Sequence, residues 1–305
     1  MAEKGEEMKD QNPPPGQLYD VGGYRIHLQC QGSGDPAAIM DSGLLGNSLL
    51  WTNSLSTIAQ HTRACAFDRA GYAWSDPAPA DVPRTSQQII AELRTALDKA
   101  NLHPPYILLG HSFGAINMLV YAYTYPQEVA GLVLVDPSHP EMFERVPKVP
   151  SGKTVARGFR MISGLGSLGL LRWLGPLLAR RLLPDGAQTL PPDAWNALET
   201  LASHRKEYET AAREASMGDE NFASARGGPS SLGDLPLEVL TADWWTTSKQ
   251  TPMKQAMMPL REEQVALSSC GCHRIVSGCD HSNLPVVRPD AVADSVQHIL
   301  EAIKT

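Results

Sequence analysis

The chain has 305 residues, of which 42% are hydrophobic and 19% charged, enough apolar material for a sizeable core. Its net charge of −7, with no basic stripe, argues against nucleic acid as a partner. No run of eighteen uncharged apolar residues is present, so no membrane span is expected.

Cysteines stand at Cys30, Cys65, Cys270, Cys272 and Cys279. An odd count without a recognisable secretory leader predicts reduced thiols and a cytoplasmic location. Cys270 and Cys272 are too close together and too isolated for a zinc site, and no metal or organic cofactor is expected.

Residues 1–15 are polar, charged and end in prolines, the composition of a disordered tail. From Gln17 to Cys30 the pattern predicts a hairpin turning at Gly22 and Gly23, with Tyr24, Ile26, Leu28 and Cys30 alternating onto one face. Ala37 to Met40 reads as a short buried strand that ends in a glycine-bearing loop, Asp41 to Ser48. A helix over Leu49–Gln60 and a strand over Arg63–Phe67 follow, then a turn-rich loop in which Asp68 is read as structural. Ile89, Ile90, Leu93 and Leu97 recur at helical spacing over Thr85–Asn101, with Thr85 or Ser86 as N-cap.

Tyr106 to Leu109 is a buried strand, followed by Gly110-His111-Ser112-Phe113-Gly114 and a helical segment from Ala115 to Tyr123. Strand, Gly-x-Ser-x-Gly, helix is the layout of a nucleophile elbow. The turn is so sharp that side chains two residues to either side of the serine would collide with the strand and helix, hence the glycines. It lifts the Ser112 hydroxyl to the N-terminus of a helix, where the dipole and free N–H groups favour developing negative charge. The motif alone is common by chance, so its meaning depends on a base, an acid and a second oxyanion donor elsewhere.

Val129–Val135 is another buried strand, closed by Asp136. From Glu141 to Gly233 strand signals vanish, and Leu, Ala, Arg and Glu dominate. We read residues 141–233 as a helical cap inserted into an α/β core formed by 16–140 and 234–305. The greasy stretch Val155–Leu183 is read first as a lid over an apolar cleft, with interior packing and a membrane-surface patch as alternatives. Strand character returns at Leu237–Thr241 and Cys272–Val276, with helices over Pro252–Ser268 and Asp290–Ile303.

Strands alternating with helices predict a mostly parallel, doubly wound sheet, whose catalytic groups gather at the carboxyl ends of strands. Ser112, Asp136 and His281 each follow such an end. A hydroxyl needs a base before it can attack, which His281 would supply, while a carboxylate would fix the imidazole. Among the other histidines, His111 cannot reach around to Ser112, His273 lies in a strand, and His27, His61, His103, His204 and His298 are expected on surfaces or far from this edge. His139, near Asp136, is the one rival. For the acid, Asp136 is favoured over Asp243. The N–H groups of Leu44 and Phe113 are the candidate oxyanion donors, and Gly43, His111, Trp173 and Trp244 are the candidate substrate contacts, with Trp245 beside them.

These residues resemble the α/β-hydrolase superfamily. The resemblance rests on Asp41-Ser42-Gly43-Leu44, on Asp68-Arg69-x-Gly71-Tyr72-x-x-Ser75-Asp76, on Gly110-His111-Ser112-Phe113-Gly114, on Gly131 to Asp136, and on Ser277-Gly278 with His281. It covers about Gln17–Val135 and Leu235–Ile303. The chain differs in having Ser42-Gly43 where many members have His-Gly, in the insertion of Cys279-Asp280 before His281, and in the displaced acid. The resemblance implies a serine hydrolase of carboxylic esters or lactones, carboxylesterase-like and, more loosely, similar to serine-dependent macrolide esterases. A serine at the elbow disfavours the epoxide hydrolase and haloalkane dehalogenase branches, which carry aspartate there. An amidase or aminopeptidase, reading a substrate amine through cap acids such as Glu207 or Glu209, and a non-catalytic ligand receptor are the competing readings.

Overall fold

The computed structural model describes residues 13–244 and 252–304. Most of the expected disordered tail, residues 1–12, and Trp245 lie outside them. In chain order the elements are β1 (Gln17–Asp20), β2 (Arg25–Gln31), β3 (Ala38–Asp41), a 3-10 turn (Ser48–Trp51), α1 (Thr52–Ile58), β4 (Ala64–Asp68) and α2 (Ser86–Lys99). Then come β5 (Tyr106–His111), α3 (Phe113–Thr124) and β6 (Val129–Val135). Between β6 and β7 lie α4 (Met142–Arg145), α5 (Gly152–Ser167), α6 (Leu171–Leu182), α7 (Pro192–Leu201), α8 (Arg205–Ser216) and α9 (Gly218–Arg226). The chain closes with β7 (Leu237–Ala242), α10 (Pro252–Val265), β8 (Gly271–Val276), α11 (Leu284–Val287) and α12 (Pro289–Ala302).

The eight strands form one sheet in the order β1-β2-β4-β3-β5-β6-β7-β8. The β1/β2 and β2/β4 pairs are antiparallel, and every pair from β4/β3 onward is parallel. The apolar runs expected of doubly covered strands divide by their two-residue period. Tyr106 and Leu108 of β5, with Leu132 and Leu134 of β6, pack against Ile89, Leu93 and Leu97 of α2 and Met118 of α3. Ile107 and Leu109, with Val133 and Val135, pack against Leu55 and Ile58 of α1 and Val292, Val296 and Ile299 of α12. Thr85 caps α2 as expected, its hydroxyl accepting from Gln88 N. Among the described residues no helix is long and apolar enough to cross a membrane.

Two expectations are corrected. Cys30 and Cys65 are not free thiols: they face each other in the β2/β4 register, Cα atoms 4.1 Å apart, and form a disulfide, leaving Cys270, Cys272 and Cys279 free. The odd count concealed one pair plus three, so it no longer argues for a reducing compartment. His27 is buried rather than superficial: it accepts from Gly16 N at Nε2 and donates through Nδ1 to Asp68, 2.8 Å away. The other carboxylate oxygen of Asp68 accepts Ser48 N, so this pair ties β2 to the loop after β3.

Candidate active site

The elbow lies between β5 and α3 with Ser112 at φ 52°, ψ −115°, a conformation that costs a non-glycine residue about 1–3 kcal/mol. Val135 O accepts Ser112 N, and Ser112 O accepts Ser138 N, so the strained turn is held by β6 and the loop after it. A Cβ on Gly114 would stand 2.4 Å from Asp41 O, which explains the glycine by close approach of the loop after β3.

Ser112 Oγ is 3.0 Å from His281 Nε2, and His281 Nδ1 is 2.5 Å from Asp136 Oδ2. A carboxylate partner fixes the proton on Nδ1, so Nε2 accepts from the serine hydroxyl. Asp136 is fully buried and also has a positive φ, 39°. Its Oδ1 accepts Ala242 N at 3.2 Å, with the buried Arg261 guanidinium 3.6 Å away. Of the two carboxylates weighed, Asp136 is the one beside His281. Asp243 instead accepts Gly278 N, closing the turn after β8. His139 makes a long 3.7 Å contact with Glu263, and its Nδ1 accepts Glu141 N.

His111 does not approach Ser112 as a base. Its Nε2 donates to His281 O at 2.7 Å and so pins the His281 backbone. Burial, with the His281 ring beside it, pushes His111 down to about 4, which keeps it neutral near pH 7. Gly43 lies where a Cβ would come within 3.2 Å of Ser112 Cβ and 3.3 Å of His111 Nδ1. Backbone packed this closely brings Leu44 beside the serine, and the first N–H of α3, at Phe113, is one for which helix geometry supplies no intrahelical partner.

Sequence reasoning missed what holds that loop. Arg69, fully buried, donates from Nη1 to Asp41 Oδ1 (2.5 Å) and Ser42 O (2.7 Å), and from Nη2 to Gly43 O (2.9 Å). Its Nε and Nη2 also meet both oxygens of Glu214 on α8, at 2.8 and 3.0 Å. Tyr72 links the same carboxylate to the loop, donating to Glu214 and accepting Leu45 N. Burial lowers the Arg69 pKa, but Glu214 and Asp41 outweigh it and hold the guanidinium well above its ordinary value. Glu214 is 145 residues from Arg69, and no spacing rule connects the two.

Two cavities meet at Ser112. The first, about 210 Å³, is lined by Asn47, His111, Leu183, Leu198, Glu207 and His281 among others. The second, about 270 Å³, runs under α5 and α9 past Phe113, Met142, Phe143, Val155 and Phe222. Leu44 and Ser112 border both. Glu207 accepts Ala73 N, and burial pushes its carboxyl up to about 8. Glu209 is instead half-exposed and paired with Arg205. Neither tryptophan expected at the cleft lines these cavities. Leu171, Gly175 and Ala179 take the inward stripe of α6, which turns Trp173 outward, and Trp244 packs under Lys254 Nζ, 3.8 Å from its ring. Among the described residues no cluster of His, Cys, Asp or Glu could hold a metal ion.

Residues 39–197 match the family model for the alpha/beta hydrolase fold. The chain belongs to the α/β-hydrolase fold family. Within it, the chain is 31% identical over 154 residues to the abhydrolase domain-containing protein abhd-5.2 of Caenorhabditis elegans, covering 48% of this chain and 34% of that one. It is 29% identical over 136 residues to the probable transporter efuK of Hormonema carpetanum, covering 43% and 20%. The chain spans less than half the length of such curated relatives. Among solved structures, the epoxide hydrolase CorEH superposes with TM-score 0.71 at 16% identity, over 94% of this chain and 98% of that one. An esterase of Thermogutta terrifontis superposes with TM-score 0.64 at 16% identity, over 95% and 100%. At that identity the likeness is one of α/β-hydrolase fold, which hosts many chemistries.

Proposed function

We propose that this α/β hydrolase cleaves carboxylic esters or lactones through an acyl-enzyme on Ser112. The observation that carries the reading is the continuous chain Ser112 Oγ to His281 Nε2 to Asp136, set on a strained elbow. Ser112 attacks the carbonyl carbon as His281 takes its proton. The N–H groups of Phe113 and Leu44 receive the oxyanion. His281 then protonates the leaving alkoxide, and a water attacking with His281 as base releases the acid. Asp136 holds the imidazole tautomer throughout. Epoxide hydrolases are neighbours in fold, but the elbow side chain here is serine where that branch carries aspartate.

The lining of the two cavities supports a placement for each half of the ester. His281 lines the first cavity and delivers the proton to the leaving oxygen, so the alcohol lies there. The acyl group stays on Ser112 and occupies the second cavity, which at about 30 Å³ per water-sized group holds roughly nine of them, a medium-length chain.

The test is hydrolysis of p-nitrophenyl esters from acetyl to decanoyl, a macrolide lactone and an aminoacyl anilide by wild type and Ser112→Ala. Ester turnover lost in the alanine variant, with a fluorophosphonate labelling Ser112, supports the reading. Turnover of the anilide alone moves it to an aminopeptidase. Neither turnover nor labelling overturns it in favour of a ligand receptor.

A further inference from the structure

Most of the buried positions of α5 and α6 are small residues, and several of their largest side chains are exposed. On α5 the buried positions are Gly152, Ala156 and Ser163. On α6 Leu171, Gly175 and Ala179 are buried. The inward glycines allow close packing: a Cβ on Gly175 would overlap Ser203 Oγ, and one on Gly152 would stand 2.3 Å from Ala215 O. The opposite stripe of α5 presents Lys153, Arg157, Arg160 and Met161 at helical spacing, and Leu168 follows at its C-cap. That of α6 presents Arg172, Trp173, Leu177 and Arg181. Met161, Leu168 and Trp173 are 74–75% exposed and Leu177 55%. In a protein with net charge −7, residues 152–183 contain no aspartate or glutamate. Lys153 makes a loose 3.9 Å contact with Asp219, and among the described residues no ion pair joins Arg157, Arg160, Arg172 or Arg181 to a carboxylate.

We propose that this face of α5 and α6 docks on an anionic phospholipid surface. Bulky apolar side chains interleaved with arginines, on helices too short and too charged to span, are the composition of an interfacial element. The apolar groups reach the acyl boundary while the cations meet headgroup phosphates. The charge selects the occupant. A second copy docked face to face would bring the same arginines together, whereas a lipid surface neutralises them. The end of α6 gives the placement a use, because Leu182 and Leu183 line the first cavity beside Ser112, so a docked molecule presents that cavity near the surface. The proposal does not depend on which bond Ser112 breaks.

The experiment is flotation of the full chain with vesicles of phosphatidylcholine alone and of phosphatidylcholine with one third phosphatidylglycerol, at low and high salt. Wild type is expected to float with the anionic vesicles at low salt and to be released by high salt. The variant Arg157→Gln/Arg160→Gln/Arg172→Gln should partition about a hundredfold more weakly. The matching triple change to lysine should restore binding, because headgroups read charge rather than guanidinium geometry. Met161→Ser/Leu177→Ser should also weaken binding while leaving the thermal midpoint of these exposed sites unchanged. Failure of wild type to float at low salt, or a glutamine variant that floats like wild type, overturns the proposal. So does a dimer seen by light scattering that Leu177→Ser dissociates without any vesicle binding, which would make the face a contact between copies.

Discussion

Replacing Glu214 by glutamine tests whether the helices between β6 and β7 hold the loop after β3 and its proposed oxyanion donor. Glu214 is fully buried and takes two bonds from Arg69 and one from Tyr72. Glutamine keeps the volume but removes the charge and turns an NH2 group toward those donors. Taking one partner from a buried pair costs about 3–5 kcal/mol. We expect about 3 kcal/mol, since Asp41 still balances Arg69. At that cost the thermal midpoint falls by roughly 6 °C. Arg69 also grips Ser42 O and Gly43 O, while Tyr72 grips Leu45 N, so the peptide of Leu44 is held from both sides. If slackening withdraws Leu44 N–H, one oxyanion donor is lost, and kcat should fall about a hundredfold. KM should change little, because the donor acts in the transition state. The assay is steady-state hydrolysis of a p-nitrophenyl ester together with thermal unfolding. Glu209→Gln, on the same helix but half-exposed and paired with Arg205, is the control and should alter neither. A Glu214→Gln protein that melts earlier but keeps its kcat would refute the reasoning, since the loop would then be held without the clamp.

Two further outcomes follow from the same geometry. Asp136→Asn should lower kcat by about 10⁴, as loss of the tautomer-fixing carboxylate does in comparable triads, whereas Asp243→Asn, which disturbs the Gly278 turn, should stay within a few-fold. Equal losses in both would remove Asp136 from its role. For pH, His111 and His139 are held near 4 when folded, first by burial, against 6.5 unfolded. Below pH 6.5 the unfolded chain takes protons that the folded chain refuses, so their stabilisation is full above 6.5 and drains as pH falls through 4. Glu207, held up at about 8 by burial, works oppositely: its contribution is full below 4.5 and is lost as pH rises through 8. Urea midpoints across this range should therefore peak near neutrality, and Glu207→Gln should flatten the alkaline limb. A wild-type midpoint that does not change with pH would contradict both assignments.

The sequence by itself determined most of the elements and pointed to the candidate reactive groups. Strand and helix periods are local, so β5, β6 and the α2 cap at Thr85 fall where their own residues put them. The elbow is local in part: Gly110 answers to crowding by Gly114 and Ala115, whereas Gly114 answers to Asp41 O of the loop after β3. Chain order then placed Asp136 and His281 at strand ends, and a parallel sheet gathers such ends on one edge. What remained depended on distance across the fold. The choice of Asp136 over Asp243 turned on which carboxylate β6 and β7 aim at His281. The disulfide needed the β2/β4 register, which an odd cysteine count hides. The clamp joins Arg69 to a helix 145 residues away, and nothing periodic marks it. Trp173 was misread because hydrophobicity alone predicts an inward face. On α6 the inward stripe went to Leu171, Gly175 and Ala179, with Gly175 packed so closely on Ser203 that a larger side chain would not fit there. Local chemistry is written in neighbouring residues. Which side chains meet, and which face a helix buries, is decided only when the chain closes on itself.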